Sequence, residues 1–201
     1  MRFLVLVAMP VALAACSRGD APVAGEAGDE PQIAATRSAI PTGAVAMPDP
    51  DPATVRIALD GEGVRFIAAG GRSSLLSFGS DRGRAEEAVA GVLGAVDNRS
   101  DLAECPAGPL AFSDYGAFDL VFQNDKFVGW SLQGSGDGAR LTTVDGVGLS
   151  SELPAIEDTR TVELVEGSTL GREFTSGGIS GLLDDGAGVT NLWAGTVCNF
   201  R

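Results

Sequence analysis

The chain has 201 residues with 27 acidic and 14 basic side chains, which gives a formal charge of −13, and it contains no histidine and a single lysine, Lys126. This length accommodates one ordinary domain with appendages, and the missing histidine excludes Ser-His-Asp catalysis, Cys-His catalysis and imidazole zinc sites. The acidity argues against nucleic acid as a partner, because a phosphate backbone needs a basic protein face.

Residues 1–15 predict a lipoprotein signal peptide. One charge, Arg2, precedes an apolar run that is shorter than the roughly 20 residues of a membrane-spanning helix. Leu13-Ala14-Ala15-Cys16 resembles the lipobox of bacterial lipoproteins, in which the cysteine is acylated and cleavage falls just before it. We expect acyl chains on Cys16 to hold the protein in the cell envelope, facing the periplasm. Ser17 favours the outer membrane by analogy with enterobacterial sorting, and the alternative is an ordinary secretory signal that leaves Cys16 free.

Residues 16–52 predict a disordered tether that begins with the lipidated Cys16. This segment holds six of the ten prolines, together with many Ala, Gly, Asp and Glu residues. Such a composition buries too little apolar surface to offset the entropy of ordering. Its last residues, Pro48-Asp49-Pro50-Asp51-Pro52, predict a stiff acidic spacer. The alternative is that part of 33–47 packs on the folded domain as a short strand or helix.

Residues 53–201 are predicted to fold as a single α+β domain with an antiparallel sheet and one or two helices. Alternating apolar residues predict a hairpin with strands at 55–59 and 64–66, followed by a short strand at 75–78. An apolar stripe from Ala85 to Val96 at helical spacing predicts a helix that Ser80 or Asp81 caps. We expect Glu86 and Glu87 to lie near its positive end. After a loop, 118–122 and 127–132 form the clearest hairpin in the chain.

The second half of the domain repeats this pattern more loosely. A short helix is predicted at 152–158, with strands at 161–165, 179–183 and 189–193. Each half then contains a helix followed by strands that end at a tryptophan, Trp130 in the first and Trp193 in the second. This similarity favours two degenerate helix-plus-β-meander repeats at about 64–133 and 141–201, and chance likeness between small α+β segments is the alternative.

The cysteines that remain after acylation of Cys16 are Cys105 and Cys198. An even pair outside the cytoplasm predicts one disulfide, which would tie the two halves together. Two free thiols are the alternative.

The sequence offers little for catalysis, and it predicts neither a cofactor nor a metal. The glycine-rich segment 134–138 contains an aspartate and does not lead into a helix, so a surface loop is favoured over a dinucleotide site. Lys126 lies at a hairpin turn, where it lacks the desolvation that activates lysine. Carboxylates are the remaining catalytic groups, and no spacing singles out a pair among Asp60, Glu62, Asp114, Glu157, Asp158, Asp184 and Asp185.

Trp130 and Trp193 are the candidate partner contacts. One interpretation places them in the sheet core, because aromatic side chains dominate burial. The other places them on an exposed sheet face as anchors for a partner. Residues 53–201 carry 21 acidic and 11 basic residues, so an acidic rim around such anchors would favour a cationic or neutral peptide.

Three motifs resemble a group of uncharacterised bacterial lipoproteins without an established activity. They lie within 75–201 and read Glu104-Cys105-Pro106-Ala107-Gly108-Pro109, Lys126-Phe127-Val128-Gly129-Trp130 and Leu192-Trp193-Ala194-Gly195-Thr196-Val197-Cys198-Asn199-Phe200-Arg201. An aspartate-semialdehyde dehydrogenase label, which relatives are expected to carry by transfer, finds no support in these residues. In architecture the double helix-plus-sheet pattern resembles the β-lactamase-inhibitor-protein fold and the small lipoprotein of the outer-membrane barrel-assembly machine, both of which bind proteins.

Composition and resemblance together favour a lipid-anchored, non-catalytic module that binds an envelope protein or peptide. The rivals are an envelope enzyme that works through carboxylates and a purely structural tethered spacer.

Overall fold

Two β-sheets and two helices make up the part of the chain that the computed structural model describes, residues 55–135 and 138–200. The predictions for the signal peptide, for Cys16 and for the tether up to residue 52 lie outside the described residues. Strand pairing is antiparallel except between one short strand and its neighbour, so the α+β class with a mainly antiparallel sheet is confirmed.

The smaller sheet has four strands and begins with the predicted hairpin. Its strands are β1 (Val55–Asp60), β2 (Gly63–Ala68), β3 (Ser73–Ser77) and β8 (Thr142–Thr143). Strands β1 to β3 form a meander because short turns join them, and β8 adds to β1 in parallel orientation.

The larger sheet has eight strands, which are β4 (Asn98–Leu102), β5 (Leu110–Tyr115), β6 (Phe118–Gln123), β7 (Lys126–Gln133), β9 (Glu163–Leu164), β10 (Arg172–Ser176), β11 (Ile179–Leu183) and β12 (Val189–Gly195). Their order in the sheet is β4-β5-β6-β7-β12-β11-β10-β9. The predicted hairpin at 118–132 is confirmed as β6 and β7, and its turn residues Asn124 and Asp125 have φ of 51° and 57°, as a tight hairpin turn requires.

Both helices precede a run of four strands of the larger sheet. Helix α1 (Arg82–Leu93) leads into β4 to β7, and helix α2 (Leu153–Glu157) leads into β9 to β12. The two runs meet at the centre of the sheet, where β7 pairs with β12.

Local details around α1 differ from the prediction. Asp81 occupies the N-cap position, but its side chain accepts a hydrogen bond from Lys126 instead of capping the helix. Glu86 lies beyond the first turn and binds Arg82 and Arg99, so it links α1 to β4. The hydrogen bond from Arg99 is the main cause that lowers the pKa of Glu86 to about 2. Hydrogen bonds from Ser113 and Arg82 lower it further, whereas burial acts in the opposite direction.

One buried apolar cluster draws side chains from both sheets and both helices. On the larger sheet it takes alternate residues, such as Leu120 and Leu132, whose side chains lie on the face that we call the inner face. Trp130 belongs to this cluster with 0% of its surface exposed, and its indole N–H donates a hydrogen bond to the Asp60 carbonyl at 2.9 Å. Of the two interpretations of Trp130, the side chain therefore follows the one that places it in the core, and it offers no surface for a partner.

The two sheets also meet through their turns. A Cβ added to Gly61, in the β1–β2 turn, would lie 2.4 Å from the carbonyl oxygen of Gly177 in the β10–β11 turn. Only glycine permits so close an approach of two backbones. This contact holds one end of the smaller sheet against the larger one.

Candidate functional site

The opposite side of the larger sheet, which we call the outer face, carries a cleft of about 400 Å³. We name it the Trp193 cleft after the largest side chain in its lining. Its walls combine polar strand residues with apolar side chains from β4, β5, β11, β12 and neighbouring loops. The lining residues include Ser100, Leu102, Phe112, Asp114, Asp119, Ser131, Gln133, Leu170, Leu182, Asn191, Trp193, Val197, Cys198 and Asn199.

Strand register places four of these side chains in one row. Trp193 of β12 pairs with Ser131 of β7, Ser131 pairs with Asp119 of β6, and Asp119 pairs with Asp114 of β5. Residues that are directly opposite on neighbouring strands point to the same face, so the row crosses the outer face from an indole to two carboxylates. Trp193 is 8% exposed and forms part of the cleft lining without projecting from it.

Asp114 and Asp119 form an unusual cross-strand pair. Directly opposite residues on antiparallel strands have Cβ atoms about 5 Å apart, and like charges in this arrangement are destabilising. Asp114 accepts a hydrogen bond from the Gly116 N–H at 2.7 Å, and Asp119 accepts one from the Ser131 hydroxyl at 3.2 Å. Neither carboxylate forms an ion pair with a described residue. The fold therefore keeps two negative charges together without a neutralising cation of its own in that part of the chain.

The ionisation of Asp119 reflects this environment. Burial raises its pKa above the ordinary value of 3.8, and the neighbouring charge of Asp114 raises it further. The hydrogen bond from Ser131 opposes this shift without cancelling it. A positive charge placed between the two carboxylates would remove the repulsion and bring the pKa back down.

The C-terminal segment forms one wall of the cleft. Val197 and Cys198 pack against a small apolar cluster that includes Leu110 and Val121. Cys198 lies at disulfide-bonding distance from Cys105, which is consistent with the predicted bridge. This link joins the wall to the loop between β4 and β5.

A second, larger cleft of about 740 Å³ adjoins the first, and we call it the Asp184 cleft. The two clefts share Gln133 and Asn191, whose side-chain amides hydrogen-bond to each other at 3.0 Å. Glu152 and Asp184 supply its carboxylates. No lysine or arginine occurs among the described residues that line either cleft.

The other carboxylates considered from the sequence lie apart from the Trp193 cleft. Asp60 binds Arg65, and despite the opposing effect of burial the Glu62 N–H and Arg65 hold its pKa below the usual value. Glu157 and Asp158 are exposed at the end of α2. None of these residues lines either of the two clefts.

Sequence reasoning found part of this site. It named Trp193, which lines the cleft, and it considered Asp114 without finding its partner. It missed Asp119, although the alternation Phe118-Asp119-Leu120 already predicts that the carboxylate points away from the core.

Among residues 55–135 and 138–200, no group of three or more His, Cys, Asp or Glu side chains has an arrangement that could hold a metal ion. No helix in that part of the chain is long and apolar enough to cross a membrane. No protein-family model, curated protein or solved structure matches this chain.

Proposed function

We propose that this protein is a binding module of the cell envelope that recognises a cationic segment of another protein in the Trp193 cleft. The observation that carries the proposal is the pair of carboxylates, Asp114 and Asp119, that lie opposite each other without an ion-pair partner among the described residues. Positions at which a fold accepts an unfavourable local arrangement are often functional sites.

A lysine or arginine side chain suits this cleft for two reasons. Its charge relieves the repulsion between Asp114 and Asp119 and forms charge-assisted hydrogen bonds with them. Its aliphatic stem packs on the apolar lining, in which Leu102 is 49% exposed. The excess of acidic residues in 53–201 further attracts a basic partner over a longer range.

The proposal includes the anchor and the internal symmetry predicted from the sequence. Acyl chains on Cys16 hold the module at the periplasmic side of an envelope membrane, with the outer membrane favoured, and 17–52 provide reach. The two halves descend from a helix-plus-β-meander unit of the kind in the β-lactamase-inhibitor-protein fold. The order of α1 before β4–β7 and α2 before β9–β12 supports this relation.

The test measures binding of fluorescently labelled peptides to the intact chain by anisotropy. Two otherwise identical extended peptides carry either one lysine or a glutamine at the same position. We expect tighter binding of the lysine peptide, and added salt weakens it because both partners are charged. Asp119→Asn is expected to weaken binding of the lysine peptide about fivefold and to leave the glutamine peptide unchanged.

Trp193→Phe supplies a second readout. This variant retains an aromatic side chain, so binding by anisotropy persists, whereas the change in intrinsic fluorescence on peptide addition disappears. Trp130, which is buried in the core, remains as an unaffected emitter. Equal affinity for the two peptides, or an unchanged affinity in Asp119→Asn, would refute the proposed site.

A second candidate function is hydrolysis of an envelope component by the same carboxylate pair. The close approach of Asp114 and Asp119 favours it, because glycoside hydrolysis uses two carboxyl groups that flank one bond, and burial raises the pKa of Asp119 in the direction that a general acid requires. Release of soluble fragments from isolated cell-wall material, abolished in both Asp114→Asn and Asp119→Asn, would support hydrolysis. Peptide binding without such release supports the binding module.

A further inference from the structure

The Asp184 cleft adjoins the Trp193 cleft at the N-terminal end of β12 and includes residues of the segment before α2. Gln133 and Asn191 belong to the lining of both, so no other residue has to be crossed between them. The two amides bind each other through one hydrogen bond and keep further donors and acceptors that suit a peptide backbone. A ligand that fills the first cleft therefore has a polar path into the second.

The two clefts share one electrostatic character. Asp114 and Asp119 line the first, Glu152 and Asp184 line the second, and the described lining contains no basic residue. A partner that spans both clefts must carry positive charge at both ends of its contact. A single small cation would satisfy only one of them.

The strand arrangement gives the distance between the two acidic ends. Asp119 lies in one row with Ser180 of β11, three strand spacings away, which is about 14 Å. Asp184 lies four residues beyond Ser180, about 13 Å along the strand direction. The diagonal between the two carboxylates is about 20 Å, and about six residues of extended chain cover this distance.

We propose that the partner is an extended polypeptide segment with two basic side chains about six positions apart. The first pairs with Asp114 and Asp119, and the second pairs with Glu152 and Asp184. This inference rests on the proposed function of the Trp193 cleft and adds the length, the conformation and the charge spacing of the bound segment.

The experiment compares three labelled peptides on the intact chain. The first has one lysine, the second has two lysines about six positions apart, and the third has the same composition with the lysines about two positions apart. We expect the widely spaced peptide to bind about two- to fivefold more tightly than the single-lysine peptide. The closely spaced peptide is expected to lack most of this gain.

Two matched variants locate the gain. Glu152→Gln is expected to abolish it, whereas Glu157→Gln, which removes an exposed charge from the end of α2 outside both clefts, is expected to retain it. A gain that is absent, or that persists in Glu152→Gln, overturns the two-cleft proposal while binding of the single-lysine peptide still supports the proposed function. Failure of all three peptides to bind overturns both.

Discussion

Replacement of Asp119 by asparagine tests the central electrostatic claim without any ligand. The substitution removes one of two like charges and keeps a side chain of nearly the same shape, with an oxygen that still accepts the Ser131 hydroxyl. Burial and the neighbouring charge of Asp114 both make the ionised form of Asp119 unfavourable in the folded state. We therefore expect the variant to be more stable than the parent at neutral pH. A site that sacrifices stability for binding behaves in this way.

The expected size follows from the strand register. Directly opposite pairs on antiparallel strands contribute about 0.2–1 kcal/mol, and like charges have the unfavourable sign. For a domain of this size, such a change in free energy of unfolding raises the melting temperature by about 1–3 °C. Asp185→Asn is the matched control, because it removes one exposed charge from the β11–β12 turn and changes the net charge equally.

The pH dependence has a definite sign. The pKa of Asp119 is higher in the folded state than the ordinary value of 3.8, so the folded state binds more protons between these two values. The destabilisation caused by the charge of Asp119 is therefore absent below its pKa in the unfolded state, and it grows as the pH rises through its pKa in the folded state. The advantage of Asp119→Asn should be full at pH 7 and should vanish below about pH 4.

The assay is thermal and guanidinium unfolding across pH, with Asp114→Asn and the double variant measured alongside. Either single substitution removes the repulsion, so the double variant should gain less than the two single gains together. Lower stability of Asp119→Asn at pH 7, a gain no larger than that of Asp185→Asn, or strict additivity of the two substitutions would refute the reasoning.

Three further substitutions test other parts of the fold. Glu86→Gln should reduce stability by about 1–2 kcal/mol above pH 4.5 in guanidinium unfolding, and the deficit should disappear as the pH falls toward the folded pKa of about 2. Gly61→Ala should lower the free energy of unfolding by about 1–3 kcal/mol, whereas Gly70→Ala, whose Cβ meets nothing within 4 Å, should be nearly neutral in thermal melts. Replacement of both Cys105 and Cys198 by serine should destabilise the domain by about 2–5 kcal/mol. It should also weaken peptide binding, because Cys198 belongs to the lining of the Trp193 cleft. Peptide affinity equal to that of the parent would contradict a role of the bridge in holding the cleft wall.

The hairpins were predictable because their signals are local. Residues 118–132 alternate apolar and polar side chains on both sides of a turn, and the turn contains Asn124 and Asp125, which tolerate positive φ. The strand at 179–183 follows the same logic and has the predicted bounds. Such patterns specify register and face from a few neighbouring residues.

Other strands of the larger sheet escaped prediction for identifiable reasons. All five residues of β4 (Asn98–Leu102) are exposed, so no buried face produces an apolar period. Strand β10 (Arg172–Ser176) buries the side chain of Glu173, which accepts a hydrogen bond from Ser168 at 2.6 Å, and a buried polar residue hides the expected alternation. Strand β5 (Leu110–Tyr115) also lay in a segment predicted as a loop. Because β5 was not predicted, the acidic pair was not predicted either, since only the pairing of β5 with β6 places Asp114 opposite Asp119.

The two tryptophans lie on opposite faces of the larger sheet because their positions in the β7–β12 pairing differ by one residue. Trp130 pairs with Ala194 and Trp193 pairs with Ser131, so neighbouring positions on the same two strands send the two indoles to opposite faces of the sheet. If the two halves are copies of one unit, Trp193 is not the structural counterpart of Trp130, because Leu192 and Ala194 supply the inner face of β12. Trp193 therefore lies outside the inner-face cluster, and at 8% exposed it is buried against the outer side of the sheet. Its neighbours in the outer-face row are Ser131 and the carboxylates of Asp119 and Asp114, and the proposed binding site rests on this arrangement.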